Sequence, residues 1–177
     1  TSPYRGYFNL GVGMPVLIGD ISAGYRILDS DKTRLSIWGQ YNGDLYKREH
    51  TTWHDHTASL GIDLHQAVGR KAFLDGGLDY TYGFHDMPGD DGRFSQSTSR
   101  VNLTANLSAE HSGLSYLAGI RLQHFGFYNP HFPGEEPSID DPYNGYEPVR
   151  QNLVGVTFGG KLETGSSSHI GMNIDAD

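Results

Sequence analysis

Three groups of side chains in this sequence have the chemistry to do more than fold. His50, His54 and His56 crowd one short segment beside Asp55. Imidazoles at that spacing suit Zn²⁺ or Cu²⁺. They stand in a polar stretch, 47–56, that reads as a loop; a solvated loop is the favoured reading, and no metal is expected there. The second group is acidic: Asp86, Asp90 and Asp91 in a Gly/Pro-containing stretch, and Glu135, Glu136, Asp140 and Asp141 in the longest connection. Loop carboxylates suit Ca²⁺, although this spacing matches no EF-hand. Acidic loops are usually just solvated, and no cofactor is expected. The third group is the eight charges Asp20, Arg26, Arg34, Asp63, Asp75, Asp79, Arg121 and Lys161; Asp44, Glu110 and Glu163 stand at similar positions outside it. Each of these occupies a polar position in an alternating stretch, and both signs are present.

Within that third group, Asp75 and Asp79 share one strand face, as an acid/base pair would. With Asp63 and His65 they could form a cluster on neighbouring strands, provided the groups lie within reach of one substrate. Against this, the sequence carries no G-x-S-x-G, no H-E-x-x-H and no P-loop. It has no Cys, which removes thiol catalysis and Cys-based zinc sites. The expectation is a protein that is not an enzyme. A net charge of -8 and the lack of any Lys/Arg cluster argue against a nucleic-acid partner.

The elements that must position these residues are strands. Arg34-Leu35-Ser36-Ile37-Trp38-Gly39-Gln40-Tyr41-Asn42 alternates, and so does Asn102-Leu103-Thr104-Ala105-Asn106-Leu107-Ser108-Ala109-Glu110. A period of two puts one side chain set on each face of a strand. Nine such stretches are expected, over 7–14, 18–28, 33–46, 57–68, 72–85, 100–110, 114–128, 149–163 and from Ser168 onward. Most reach the roughly 9–11 residues that a tilted transmembrane strand needs, well beyond the usual soluble strand of about 5–6. The chain of 177 residues is 36% hydrophobic, and no run approaches the roughly 18 apolar residues of a membrane helix. That composition suits a barrel, whose strands give half their residues to a polar interior.

Connections reinforce the pattern. Those after the second, fourth, sixth and eighth stretches read as short turns, and those after the third, fifth and seventh as long loops. Short periplasmic turns and long external loops give that alternation in outer-membrane barrels. Tyr41, Tyr46, Tyr80, Tyr82, Phe84, Phe125, Phe127 and Tyr128 precede the long connections, where a girdle of interface aromatics is expected. Tyr and Phe also simply favour strands.

Arg5-Gly6-Tyr7-Phe8-Asn9-Leu10-Gly11, then Asp20-Ile21-Ser22-Ala23-Gly24-Tyr25-Arg26-Ile27, then Thr33-Arg34-Leu35-Ser36-Ile37-Trp38-Gly39-Gln40-Tyr41, resemble barrel segments of Bacteroidota outer-membrane proteins, TonB-dependent receptor-like ones among them. In that group a Gly-Tyr strand precedes an Asp-x-x-Ala-Gly-Tyr-Arg strand. The resemblance implies a piece of a longer barrel chain and brings no catalytic motif.

The expected fold is therefore all-β: an antiparallel up-and-down transmembrane β-barrel, incomplete at about nine strands, in the bacterial outer membrane. Its partners would be outer-membrane lipid and further barrel strands or outer-membrane subunits. The eight charges of the third group would line the lumen, while Leu35, Ile37, Leu60, Ile62, Leu103 and Val156 would face lipid. The function would be a wall acting as pore, transporter or scaffold for solute passage. The competing reading is a soluble β-sandwich that binds glycan or protein through its loops, with the apolar face packed as a core.

Overall fold

The computed structural model describes residues 5–14, 17–48, 51–89, 92–128, 149–163 and 169–176. They form nine strands and no helix: β1 (Gly6–Gly13), β2 (Leu17–Asp29), β3 (Thr33–Arg48), β4 (Thr51–Ala67), β5 (Ala72–Gly89), β6 (Gly92–His111), β7 (Leu114–Tyr128), β8 (Val149–Glu163) and β9 (His169–Ala176). The strands make one sheet in chain order, each neighbour antiparallel. β1 and β9 stand at opposite ends of that order and do not pair, so the sheet is open among the described residues.

Alternation sets the two faces, and pairing carries them across the sheet. One register row runs Tyr25, Ile37, Ile62, Leu78, Leu103, Leu122, Val154 from β2 to β8. A one-residue slip in any strand would move its apolar set to the other face. From β3 to β8 the register runs without a shift; the irregularity in the β2–β3 pairing falls between Arg26 and Leu28.

Among the described residues, no layer packs on either face. Among the described residues there is no buried hydrophobic side chain, and Phe8, Leu60 and Phe158 are 66%, 60% and 57% exposed. A soluble sheet hides such a face beneath a second layer. Here the five residues of the lipid-facing set other than Leu35 are all exposed large hydrophobics on one face.

The apolar patch also slants across the register. Its upper limit on β3 is Leu45. On β8 the limit is Val154, which lies in the register row of Ile37, eight residues further down β3. The lower limit moves from Leu35 on β3 to Leu162 on β8, six residues lower by the same rows. At ~3.3 Å per residue and ~4.8 Å per strand, these slopes are roughly 40–48°. Outer-membrane strands tilt by about 35–45°. On β5 the patch spans Leu74 to Phe84, which at this tilt is a band about 24 Å tall, against the ~25 Å of barrel exteriors.

Two expected loops are strands instead. β3 and β4 stay paired to Arg48 and Thr51, and β5 and β6 to Gly89 and Gly92. Alternation of hydrophobicity vanishes there because the outer face has left the apolar band. His54, His56, Asp86, Ser95 and Ser97 replace Leu and Tyr on it, so the period of two has nothing apolar to report. Pro88 fits this extension because it lies beyond His85, the last β5 residue paired to β4, where β5 has β6 as its one neighbour. The expected loop 129–148 and the turn 164–167 lie outside the described residues.

Candidate functional site on the polar face

The face opposite the apolar band carries all eight charges of the third group. Arg26, Ser36, Asp63, Gly77, Thr104 and Arg121 form one register row, and Asp29, Arg34, His65, Asp75, Asn106 and Gly119 form the next. Asp79 lies one row up, opposite Asn102, and Asp20 three rows up, opposite Asn42. Lys161 is far below, opposite Ser115.

Local partners hold several of these groups. Arg26 Nη1 donates to Asp29 Oδ2 at 3.1 Å. His65 Nδ1 meets Asp75 Oδ1 at 2.5 Å, and its ring stacks on Phe73 with centroids 5.3 Å apart. Asn102 Nδ2 donates to Asp79 Oδ2 at 2.9 Å. Glycines on this face make room for large neighbours. Trp38 lies over Gly61, where a Cβ would meet its indole at 2.5 Å, and Tyr7 covers Gly24 in the same way.

Gly77 opens a depression of about 370 Å³, walled by Arg26, Arg34, Asp63, His65, Asp75 and Asn106. A Cβ at Gly77 would meet Thr104 Oγ1 at 3.0 Å and Asp63 Oδ1 at 3.4 Å, so both oxygens lean over the glycine. Among the described residues, nothing pairs with Arg34 or with the Asp63 carboxylate. The depression therefore joins an unpaired cation and an unpaired anion on neighbouring strands.

The acid/base cluster is only partly assembled. His65 and Asp75 touch, but Asp75 and Asp79 are four residues apart on one strand, about 13 Å, and Asp79 is bound to Asn102 instead. The pair sharing a face is thus too widely spaced to act directly on one bond.

The histidine group is not brought together as the sequence suggested. His54 and His56 belong to β4, not to a loop, and share the outer face with ring centroids 5.8 Å apart. His56 Nδ1 is engaged by Tyr41 Oη at 2.7 Å. Asp55 points to the other face, where its Oδ1 meets His85 Nδ1 at 2.8 Å. Alternation along β4 forces this separation. His50 lies outside the described residues, among which no group of three His, Asp or Glu is close enough to hold a metal ion. Asp86 is likewise a strand residue. Its carboxylate accepts from the His54 backbone N–H at 2.9 Å and from Ser95 Oγ at 2.7 Å. Asp90, Asp91, Glu135, Glu136, Asp140 and Asp141 lie outside the described residues.

The aromatic girdle divides. Tyr41, Tyr80, Tyr82, Phe84 and Tyr128 sit on the apolar face. Tyr46, Phe125 and Phe127 fall on the polar face, because Phe125 pairs with Arg100 and Phe127 with Thr98. Clustering near a strand end does not select a face; parity does. Tyr46 stacks on Trp53 with centroids 6.2 Å apart and planes 8° apart. Sequence reasoning left Gly77, Thr104 and the Tyr46–Trp53 pair unassigned. The dyad pattern gave the parity of Gly77, Thr104 and Tyr46, Trp53 fell in an expected loop, and only the register gives their neighbours.

No family model matches the chain, and no curated protein sequence matches it. Among solved structures, the chain is similar to the crystal structure of the outer membrane transporter YddB from Escherichia coli, with a TM-score of 0.58 at 10% identity. The fold is that of an outer-membrane barrel wall. The match covers 90% of this chain and 27% of that transporter, so the chain spans about a quarter of its length.

Proposed function

We propose that this chain is part of the wall of a bacterial outer-membrane β-barrel that passes solute, its apolar face in lipid and its polar face, with Asp20, Arg26, Arg34, Asp63, Asp75, Asp79, Arg121 and Lys161, lining the lumen. One observation carries the reading: a slanted apolar band about 24 Å tall on a sheet that no second layer covers among the described residues. Lipid is the cover that such a band fits, because it needs no packed partner of fixed shape. The polar face supports solute passage rather than adhesion, since Asp20, Arg26, Asp79 and Arg121 lie within the height of the band and Arg34, Asp63, Asp75 and Lys161 at its lower margin. Its role is transport or conduction, not catalysis. The likeness of its first strands to TonB-dependent receptor-like barrels makes active transport the finer form of this proposal.

Detergent dependence tests it. Without detergent the chain is expected to aggregate, and micelles should restore β-rich circular dichroism. A monodisperse monomer that unfolds cooperatively in plain buffer would instead mean that the apolar face is a soluble sandwich core.

A further inference from the structure

We propose that the depression over Gly77 is a subsite for a small zwitterionic solute bearing an ammonium and a carboxylate; this deepens, and rests on, the barrel-wall reading. Arg34 and Asp63 lie on neighbouring strands of one face, diagonal in the register, since Arg34 faces His65 and Ser36 faces Asp63. Diagonal neighbours are about 7–8 Å apart at Cα, within reach of an arginine. They nonetheless do not pair. Asp63 turns over Gly77 towards Thr104, and Arg34 is left on the opposite wall.

The surroundings fix which end of a solute goes where. Arg26 is already engaged by Asp29, and His65 by Asp75. The open valences are therefore one guanidinium and one carboxylate, with the Thr104 hydroxyl beside the latter. A guanidinium forks onto a carboxylate, while Asp63 and Thr104 offer oxygens to an ammonium. A simple anion satisfies only Arg34, and a simple cation only Asp63. A volume of about 370 Å³ is at the small end of ligand pockets, so the solute is a compact one.

The test uses the polypeptide as its gene encodes it, in lipid bilayers, with glycylglycine as probe and acetate and ethylammonium as one-charge controls. Saturation-transfer NMR reads binding. Glycylglycine is expected to bind about tenfold more tightly than either control, and Arg34→Gln or Asp63→Asn should each abolish that margin. Gly77→Leu, which fills the depression and alters no charge, should abolish it as well. The exchange Arg34→Asp with Asp63→Arg should recover part of it. Circular dichroism in the same bilayers shows whether each variant has inserted. Inserted protein that binds glycylglycine no better than acetate or ethylammonium would overturn the subsite and leave the barrel wall standing. Protein that never enters bilayers would overturn both.

Discussion

At the scale of single residues, the two faces answer to different solvents, and substitution separates them. Leu78 sits near mid-band, between the β5 limits Leu74 and Phe84. Leu78→Arg is expected to cost about 2–4 kcal/mol of folding free energy in bilayers, whereas Leu45→Arg, at the upper limit of the band, should cost about 0–1 kcal/mol. Denaturant titration into vesicles measures both, and equal costs would contradict the band. A second residue-level expectation concerns Gly61. Since a Cβ there would meet the Trp38 indole at 2.5 Å, Gly61→Val must displace the ring. The loss should be about 1–3 kcal/mol, typical of overpacking, with a shift in tryptophan emission. An unchanged emission maximum in a stable variant would show that Trp38 does not lie over Gly61.

Among the elements, the tilt yields the sharpest expectation. Leu45 on β3 and Val154 on β8 mark one edge of the band although their register rows are far apart. Fluorophores at these two positions should report the same bilayer depth by depth-dependent quenching, while probes at Leu45 and His54, which share a row, mark the direction across it. Depths for Leu45 and Val154 that differ by about 26 Å, the offset of an untilted sheet, would rule the tilt out. Much of this scale was legible in the sequence. Leu35, Ile37, Leu60, Ile62, Leu103 and Val156 share one face by parity alone. The misreadings have a common cause. At His54, His56 and Asp86 the outer face becomes polar, so hydrophobic alternation stops while the strand continues. At Tyr46, Phe125 and Phe127, aromatic clustering was followed where parity decides. The depression over Gly77 depends on which strand lies beside which, and no local pattern encodes that.

For the whole molecule, the count of strands governs. Among the described residues, nine antiparallel strands in chain order leave β1 and β9 unpaired with each other. Closing an odd number would force a parallel seam, and bacterial single-chain barrels have even numbers. Open edges in hydrocarbon leave backbone groups unsatisfied. These residues are therefore expected not to close a barrel by themselves. Refolded alone in micelles, they should run as mixed oligomers on native gels, through edge pairing of β1 or β9. A single closed monomer with Phe8 and Ile170 on hydrogen-bonded strands would refute this.

The central claim is that lipid, not protein, covers the apolar face. Spin-labelled lipid tests it most directly, through quenching of a fluorophore placed in turn at Ile37, Leu60 and Leu103, and at Ser36, Asp63 and Thr104 in the same strands, in bilayers holding the polypeptide as its gene encodes it. The account predicts strong quenching at the first three positions and little at the other three. Equal quenching on both faces, or none at Ile37, Leu60 and Leu103, would contradict it.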